Sequence, residues 1–466
     1  MYKKLSLAIA ISAMTLSGAL AQTARKITIA NSADNQSTLE IYFPENPTGR
    51  AIVDCPGGGY AGLSMQNEGH NWAEFFNEKG ITYGVLKYRM PNGDRNIPLT
   101  DAYQAIKTMR DSAKVWNVNP NDVGIMGFSA GGHLASSVST HAPWQLRPNF
   151  SILVYPVISM NEKETHKGSC VNFLGEGQSD EKLVREWSNQ YAVRRHLTPP
   201  AVIFLAADDL TVPPLTNGFK YYESMVKAGN PCALYVYPSG GHGFGFRQDY
   251  PYHDQMLKEL STWLDNHKAP NADAIKVACI GNSITDGAGI PMADVNGYPA
   301  HLQKLLGDGY KVMNFGVSAR TMLNKGDHPY MNEQAWKDAQ DFNPDIVVIK
   351  LGTNDSKPFN WKYSSEFSAD MQQMINTLKA LPSKPRILVA TPIPAYAVQW
   401  GIRDSVIVGE VIPQIRKVAK KNKLQVIELH EKFDNSDNKQ IQPDAIHPTA
   451  VGAAQMAKII YEAIKK

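Results

Sequence analysis

The feature that most narrows the fold is an alternation of short β-branched runs with helical patterns that begins twice. From Arg50 to about Lys268 the runs "AIVDC", "ITYGVLKY", "VGIMG", "FSILVY", "AVIFLA" and "ALYVYP" read as strands. Between them "DAYQAIKTMRDSAKVW" places Ala102, Ala105, Ile106, Met109, Ala113 and Trp116 on one helical face. "HKAPNADA", His267 to Ala274, breaks the pattern with linker character. The alternation then restarts with "IKVACIG", "KVMNFG", "DIVVIKLG", "RILVATP" and "LQVIEL", separated by helical stretches such as "FSADMQQMINTLKAL". Such alternation predicts mostly parallel sheets with helices on both faces. A chain of 466 residues exceeds one ordinary core, so two α/β domains are expected, over 22–268 and 274–466 with a linker at 269–273. The halves differ in strand count and motif order and are not repeats.

The first 22 residues, "MYKKLSLAIAISAMTLSGALAQ", combine a basic start, a short apolar run and a small-residue end at Ala19-Leu20-Ala21. That is the pattern of a secretory signal peptide over 1–21, cleaved after Ala21. The apolar run is too short and too broken by Ser and Thr for a membrane anchor. The expected location is therefore outside the cytoplasm, periplasmic or secreted. Net charge is +3, two of the positives being Lys3 and Lys4, which argues against nucleic acid or anionic membrane as partner. Four cysteines are too few for a disulfide framework in so long a chain. Cys55 and Cys279 lie in strand-like runs and read as free thiols, while a Cys170–Cys232 bridge stays open. The His and Cys spacings indicate no metal site, and no cofactor fingerprint is present.

In open parallel sheets chemistry collects beyond the carboxyl ends of the strands. Two serine turns lie at such ends. "GFSAGG", Gly127 to Gly132, follows "VGIMG" and precedes a helix-forming stretch, so Ser129 has the setting of a nucleophile turn. "CPGGGY" offers Gly58 and Gly59, which with Ala130 supply backbone N–H groups for an oxyanion. "ADDLTVPP" and "SGGHGFGF" each follow a late strand and bring an acid and His242 in the order Ser, Asp, His. His133 and His70 are assigned to packing or loop structure.

The second turn, "GNSITDG", carries Ser283. Gly316 in "NFGVSART" and Asn354 in "KLGTNDS" add a backbone and a side-chain donor to the N–H of Ser283. "QPDAIHPTAVG" puts Asp444 three residues before His447, a spacing that lets the carboxylate reach its own histidine ring.

"PGGGY", "LKYRMP", "GFSAGGHLA", "DDLTVP" and "GGHGFGF" resemble the α/β-hydrolase esterases of the acetylesterase and xylan-esterase type over nearly the whole first half. In that family the acid stands three residues before the Val of the Val-Pro pair, which implies Asp209, with Asp208 shaping the loop. Pro56 departs from the His that many relatives have before the glycines. The second half resembles the SGNH (GDSL) hydrolases, which imply a flavodoxin-like fold with Ser283, Gly316, Asn354 and His447 as the name-giving residues. Asn282 replaces the usual Asp before the serine; Asp444, not that position, is the implied triad acid.

The resemblances imply a bifunctional serine carboxylesterase without cofactor. It would remove O-acetyl groups first, feruloyl groups second, from plant polysaccharides such as xylan, an acylated poly- or oligosaccharide being the partner. The alternative is one catalytic half beside a degenerate or carbohydrate-binding one. Trp361 and Trp400 stand near the inferred second mouth, where each could stack a sugar or pack a loop.

Overall fold

The computed structural model describes residues 25–466; the signal-peptide segment 1–21 lies outside the described residues. The first sheet has eight strands: β1 (Arg25–Ala30), β2 (Thr38–Phe43), β3 (Ala51–Cys55), β4 (Thr82–Lys87), β5 (Val123–Phe128), β6 (Ser151–Val154), β7 (Ala201–Ala206) and β8 (Cys232–Tyr237). Their order is β1-β2-β4-β3-β5-β6-β7-β8. β1 and β2 pair antiparallel and β2 meets β4 antiparallel; the remaining pairs are parallel. The second sheet, β10-β9-β11-β12-β13, is wholly parallel. Its strands are β9 (Ile275–Gly281), β10 (Tyr310–Gly316), β11 (Ile346–Lys350), β12 (Arg386–Ala390) and β13 (Gln425–Ile427).

Both sheets bury both faces, so their central strands are continuous apolar runs. In the first, Val53, Ile125, Leu153 and Ile203 pack on one side, and Ile52, Met126, Ile152 and Val202 on the other. The second divides likewise into Ile280, Val347 and Val389 against Cys279, Val348 and Leu388. The helix expected from Asp101 to Trp116 is two helices, Asn96–Asp111 and Ala113–Trp116, because Ser112 leaves the helical region. Its predicted face is buried from Ala102 to Met109 and half-buried at Ala113 and Trp116. All four cysteines are free, Cys170 and Cys232 included. No helix among the described residues is long and apolar enough to cross a membrane.

The stretch between the sheets is bound to the first half. The last helix beside the first sheet, His253–Asn266, ends where Arg50 donates to the carbonyls of Leu264 and His267 at 2.6 Å each. Asn119 and Asn121 donate to the carbonyls of Pro270 and Asn271 at 2.8 and 2.7 Å. The two halves meet along a seam where Trp144 packs edge-on against Phe342, ring centres 5.4 Å apart.

Arg50 also pairs through Nε with Asp122 at 2.9 Å, both groups being largely buried. Burial pushes the Asp122 carboxyl up and Arg50 pulls it back. Arg50→Ala strands that carboxylate and frees two carbonyls, and is expected to cost about 3 kcal/mol, read as a shift in denaturant midpoint.

Candidate active sites

Ser129 opens the helix Ser129–His141 directly after β5, with φ +52°, a left-handed conformation that non-glycine residues adopt only under constraint. The glycines around it permit this turn by close approach. A Cβ on Gly131 would sit 1.9 Å from the Cys55 carbonyl, and one on Gly127 would sit 2.2 Å from the Gly131 carbonyl. The Ser129 hydroxyl lies 2.8 Å from His242 Nε2, and His242 Nδ1 donates to Asp209 Oδ2 at 2.7 Å. Asp209 is 3% exposed and its other oxygen accepts the N–H groups of Thr211 and Val212 at 2.9 Å each, which fixes the carboxylate plane. Asp208 instead accepts the Gly241 N–H at 2.8 Å and so holds the histidine loop. A His242 imidazolium formed by proton transfer would therefore face an anchored, ionisable partner.

The donors expected for the first oxyanion lie on two elements. Ala130 lies in the first helical turn, where N–H groups have no intrahelical acceptor. The loop after β3 presses on the serine, since a Cβ on Gly57 would sit 2.9 Å from Ser129 Cβ. The Gly57 N–H is taken by Glu68 Oε2 at 2.8 Å, leaving Gly58 and Gly59 as the donors this loop can offer. Pro56 is held by its carbonyl, which accepts from Tyr88 at 2.8 Å. His133 is fully buried between the Tyr60 hydroxyl and the Trp187 carbonyl, 2.9 Å each, and burial pulls its pKa down to about 4. His70 instead meets β2, its Nδ1 lying 3.0 Å from the Tyr42 hydroxyl and 3.4 Å from Glu40 Oε1.

Ser283 opens the single helical turn Ser283–Asp286 after β9, without a positive φ. Its hydroxyl lies 2.8 Å from His447 Nε2, and His447 Nδ1 donates to Asp444 Oδ2 at 2.7 Å. Burial pushes the Asp444 carboxyl up, but the N–H groups of His447 and Ile446 and the His447 ring together hold it below the usual range. Asn282 caps the turn, its Oδ1 accepting from the Ile284 N–H and from Lys350 Nζ at 3.2 Å each. Lys350 is fully buried, and burial drives its pKa well down.

The donors assigned to the second oxyanion are unequal. Asn354 spends one amide hydrogen on the Arg320 carbonyl at 3.2 Å and keeps another. The Gly316 N–H points to Asn314 Oδ1 at 2.9 Å. Gly316 is needed sterically as well: a Cβ there would sit 2.2 Å from the Asp286 nitrogen. The two tryptophans divide clearly. Trp361 is 7% exposed and donates to Glu410 at 2.6 Å, whereas Trp400 is 55% exposed with its ring centre 5.6 Å from that of His447.

Several site residues carry no sequence signal. Glu68 is buried and links the oxyanion loop to Tyr155, whose hydroxyl donates to Glu68 Oε1 at 2.8 Å while its ring stands 4.8 Å from His242. Burial pushes the Glu68 carboxyl up against those hydrogen bonds. His166 caps the helix Lys167–Leu174 and lies over Gly59, whose added Cβ would be 3.2 Å from the ring. A lone acid or histidine in a polar loop has no spacing that separates it from a solvated one.

Two protein families match the chain: the alpha/beta hydrolase fold over residues 52–246 and the GDSL-like Lipase/Acylhydrolase family over residues 279–455. Among curated proteins, an acetylxylan esterase of Xylanibacter ruminicola is 57% identical over 463 residues, 96% of each chain. Endo-1,4-beta-xylanase B of Butyrivibrio fibrisolvens is 32% identical over 215 residues, 42% of this chain and 33% of that one. Among solved structures, an acetyl ester-xyloside bifunctional hydrolase from Caldicellulosiruptor lactoaceticus is 34% identical, with a TM-score of 0.46, over 49% of this chain and 87% of that one.

Glu68→Gln would turn an amide toward either the Gly57 N–H or the Tyr155 hydroxyl in place of an acceptor. In a Ser283→Ala background it is expected to lower the kcat of the first site about tenfold, about 1.4 kcal/mol, with KM nearly unchanged. Steady-state hydrolysis of an aryl acetate reads this directly.

Proposed function

We propose that this chain, which belongs to the acetylxylan esterase family and is a carboxylic ester hydrolase, deacetylates xylan-type polysaccharides at two independent serine sites. The observation that carries this reading is the pair of unbroken Ser–His–Asp relays, each lying wholly within one half of the chain. At either site the histidine takes the serine proton as Oγ attacks the acetyl carbonyl, and the oxyanion settles on the preorganised donors. The histidine then returns that proton to the sugar oxygen as the C–O bond breaks. Water, activated by the same histidine, hydrolyses the acetyl-serine and releases acetate.

The second mouth also offers a means of holding a sugar. Trp400 presents an exposed ring beside His447, where an apolar pyranose face can stack while its ester reaches the serine. Buried Trp361 has no such role. In this reading residues 22–268 and 274–466 are separate catalytic domains joined at 269–273. The leader-like residues 1–21 direct export to the periplasm or beyond, where an acylated polymer or oligomer is met.

Acetate release should fall only in part in Ser129→Ala and in Ser283→Ala, with a different positional or substrate preference surviving in each, and should vanish in the double variant. Loss of every activity in one single variant would defeat the two-site reading. In the Ser129→Ala background, Trp400→Ala should raise KM for acetylated xylo-oligosaccharides about fivefold, the loss of about 1 kcal/mol of stacking, and leave KM for a small aryl acetate in place.

A further inference from the structure

Three consecutive basic residues of the first half, Arg194, Arg195 and His196, each meet a carboxylate of the second. Arg194 pairs with Asp338 at 3.0 Å. Arg195 Nε lies 2.6 Å from Asp286 Oδ1, and His196 Nε2 lies 2.9 Å from that same oxygen. His196 Nδ1 faces Asp294. The loop bearing them is held from below by buried Asn230, which accepts the His196 N–H at 3.2 Å and donates to the Arg194 carbonyl at 3.0 Å. His196 itself has φ +65°, so its backbone is held in a conformation that a non-glycine residue seldom takes.

Asp286 ends the helical turn that Ser283 begins. Arg195 Nη2 also donates to the main-chain carbonyls of Asp286 and Gly287 at 2.7 and 3.3 Å, placing a fixed positive charge where the turn's last carbonyls point. The far oxygen of Asp286 accepts from the hydroxyl of Ser318, two residues beyond Gly316. Asn314, near the end of β10, donates to the Thr285 carbonyl at 2.8 Å. One buried aspartate thus joins the nucleophile turn, the loop after β10 and the first half. Burial pushes the Asp286 carboxyl up, but His196, Ser318 and Arg195 together hold it below the usual range.

We infer that Arg195 and His196 are positioning residues for the second serine: the first half holds the Ser283 turn in register with the Gly316 loop. The second site is then completed across the seam, although its triad lies in one half. The inference rests on the reading of Ser283 as a reactive nucleophile.

The test uses the full-length Ser129→Ala protein, so that Ser283 is the triad serine remaining. Arg195→Ala with His196→Ala should slow phosphonylation of Ser283 by a fluorophosphonate probe about tenfold or more. It should lower kcat on an aryl acetate equally, with KM held within about twofold. Arg195→Lys, which keeps the charge and loses the fork, should fall between. In the Ser283→Ala background the same changes should leave the first site within about twofold of its parent. Phosphonylation of Ser283 at the parental rate would overturn the inference, as would a joint fall of both sites together with the melting temperature. If Ser283 in the Ser129→Ala parent takes no label at all, it is the reading of Ser283 as a nucleophile that fails, and the inference falls with it.

Discussion

Parallel strands can be joined only by crossovers, and each crossover delivers its outgoing loop to the same edge of the sheet. That constraint organises both halves. At the first edge it gathers the glycine loop after β3, the serine turn after β5, Asp209 after β7 and His242 after β8. At the second it gathers Ser283 after β9, Gly316 after β10, Asn354 after β11 and the loop of Trp400 beyond β12. Burial of both sheet faces packs the strands that end at those edges, so a side chain placed there is held by the core beneath it.

The two halves solve the same problem with different backbone chemistry. Ser129 is raised out of its turn by a left-handed φ, made possible where Gly127 and Gly131 let main chains touch. Ser283 needs no such conformation; its turn is capped by Asn282 and tightened by Gly316 against the Asp286 nitrogen. Their acids differ in the same way. Asp209 reaches His242 from a separate loop, while Asp444 serves a histidine on its own local turn and is set by two backbone N–H groups. Hence the acid–histidine pair of the first relay depends on packing between two loops, whereas that of the second is set by the geometry of one local turn.

The central strands and both serine turns were legible because burial on two faces writes unbroken apolar runs, and sharp turns demand glycine. β1 and β2 escaped the reading, since β1 is exposed along much of its length and has no apolar run to mark it. The split at Ser112 is a local backbone departure inside a pattern whose periodicity continues across it. The assignment of Gly316 as an oxyanion donor meets a more complicated arrangement, with Asn314 occupying its N–H. Glu68, Tyr155 and the basic triplet at the seam were invisible for a single reason. Each matters through a partner far along the chain, and spacing in sequence carries no trace of such a meeting.

The unpaired thiols have a consequence of their own. Cys55, Cys170 and Cys279 are enclosed by packed side chains and Cys232 stands alone at the start of β8, so no cross-link contributes to either core. The fold itself therefore rests on no intramolecular disulfide, whether its surroundings are reducing or oxidising. Maturation requires no oxidant and no isomerase to sort pairings, and the finished molecule offers a reductant no disulfide to open.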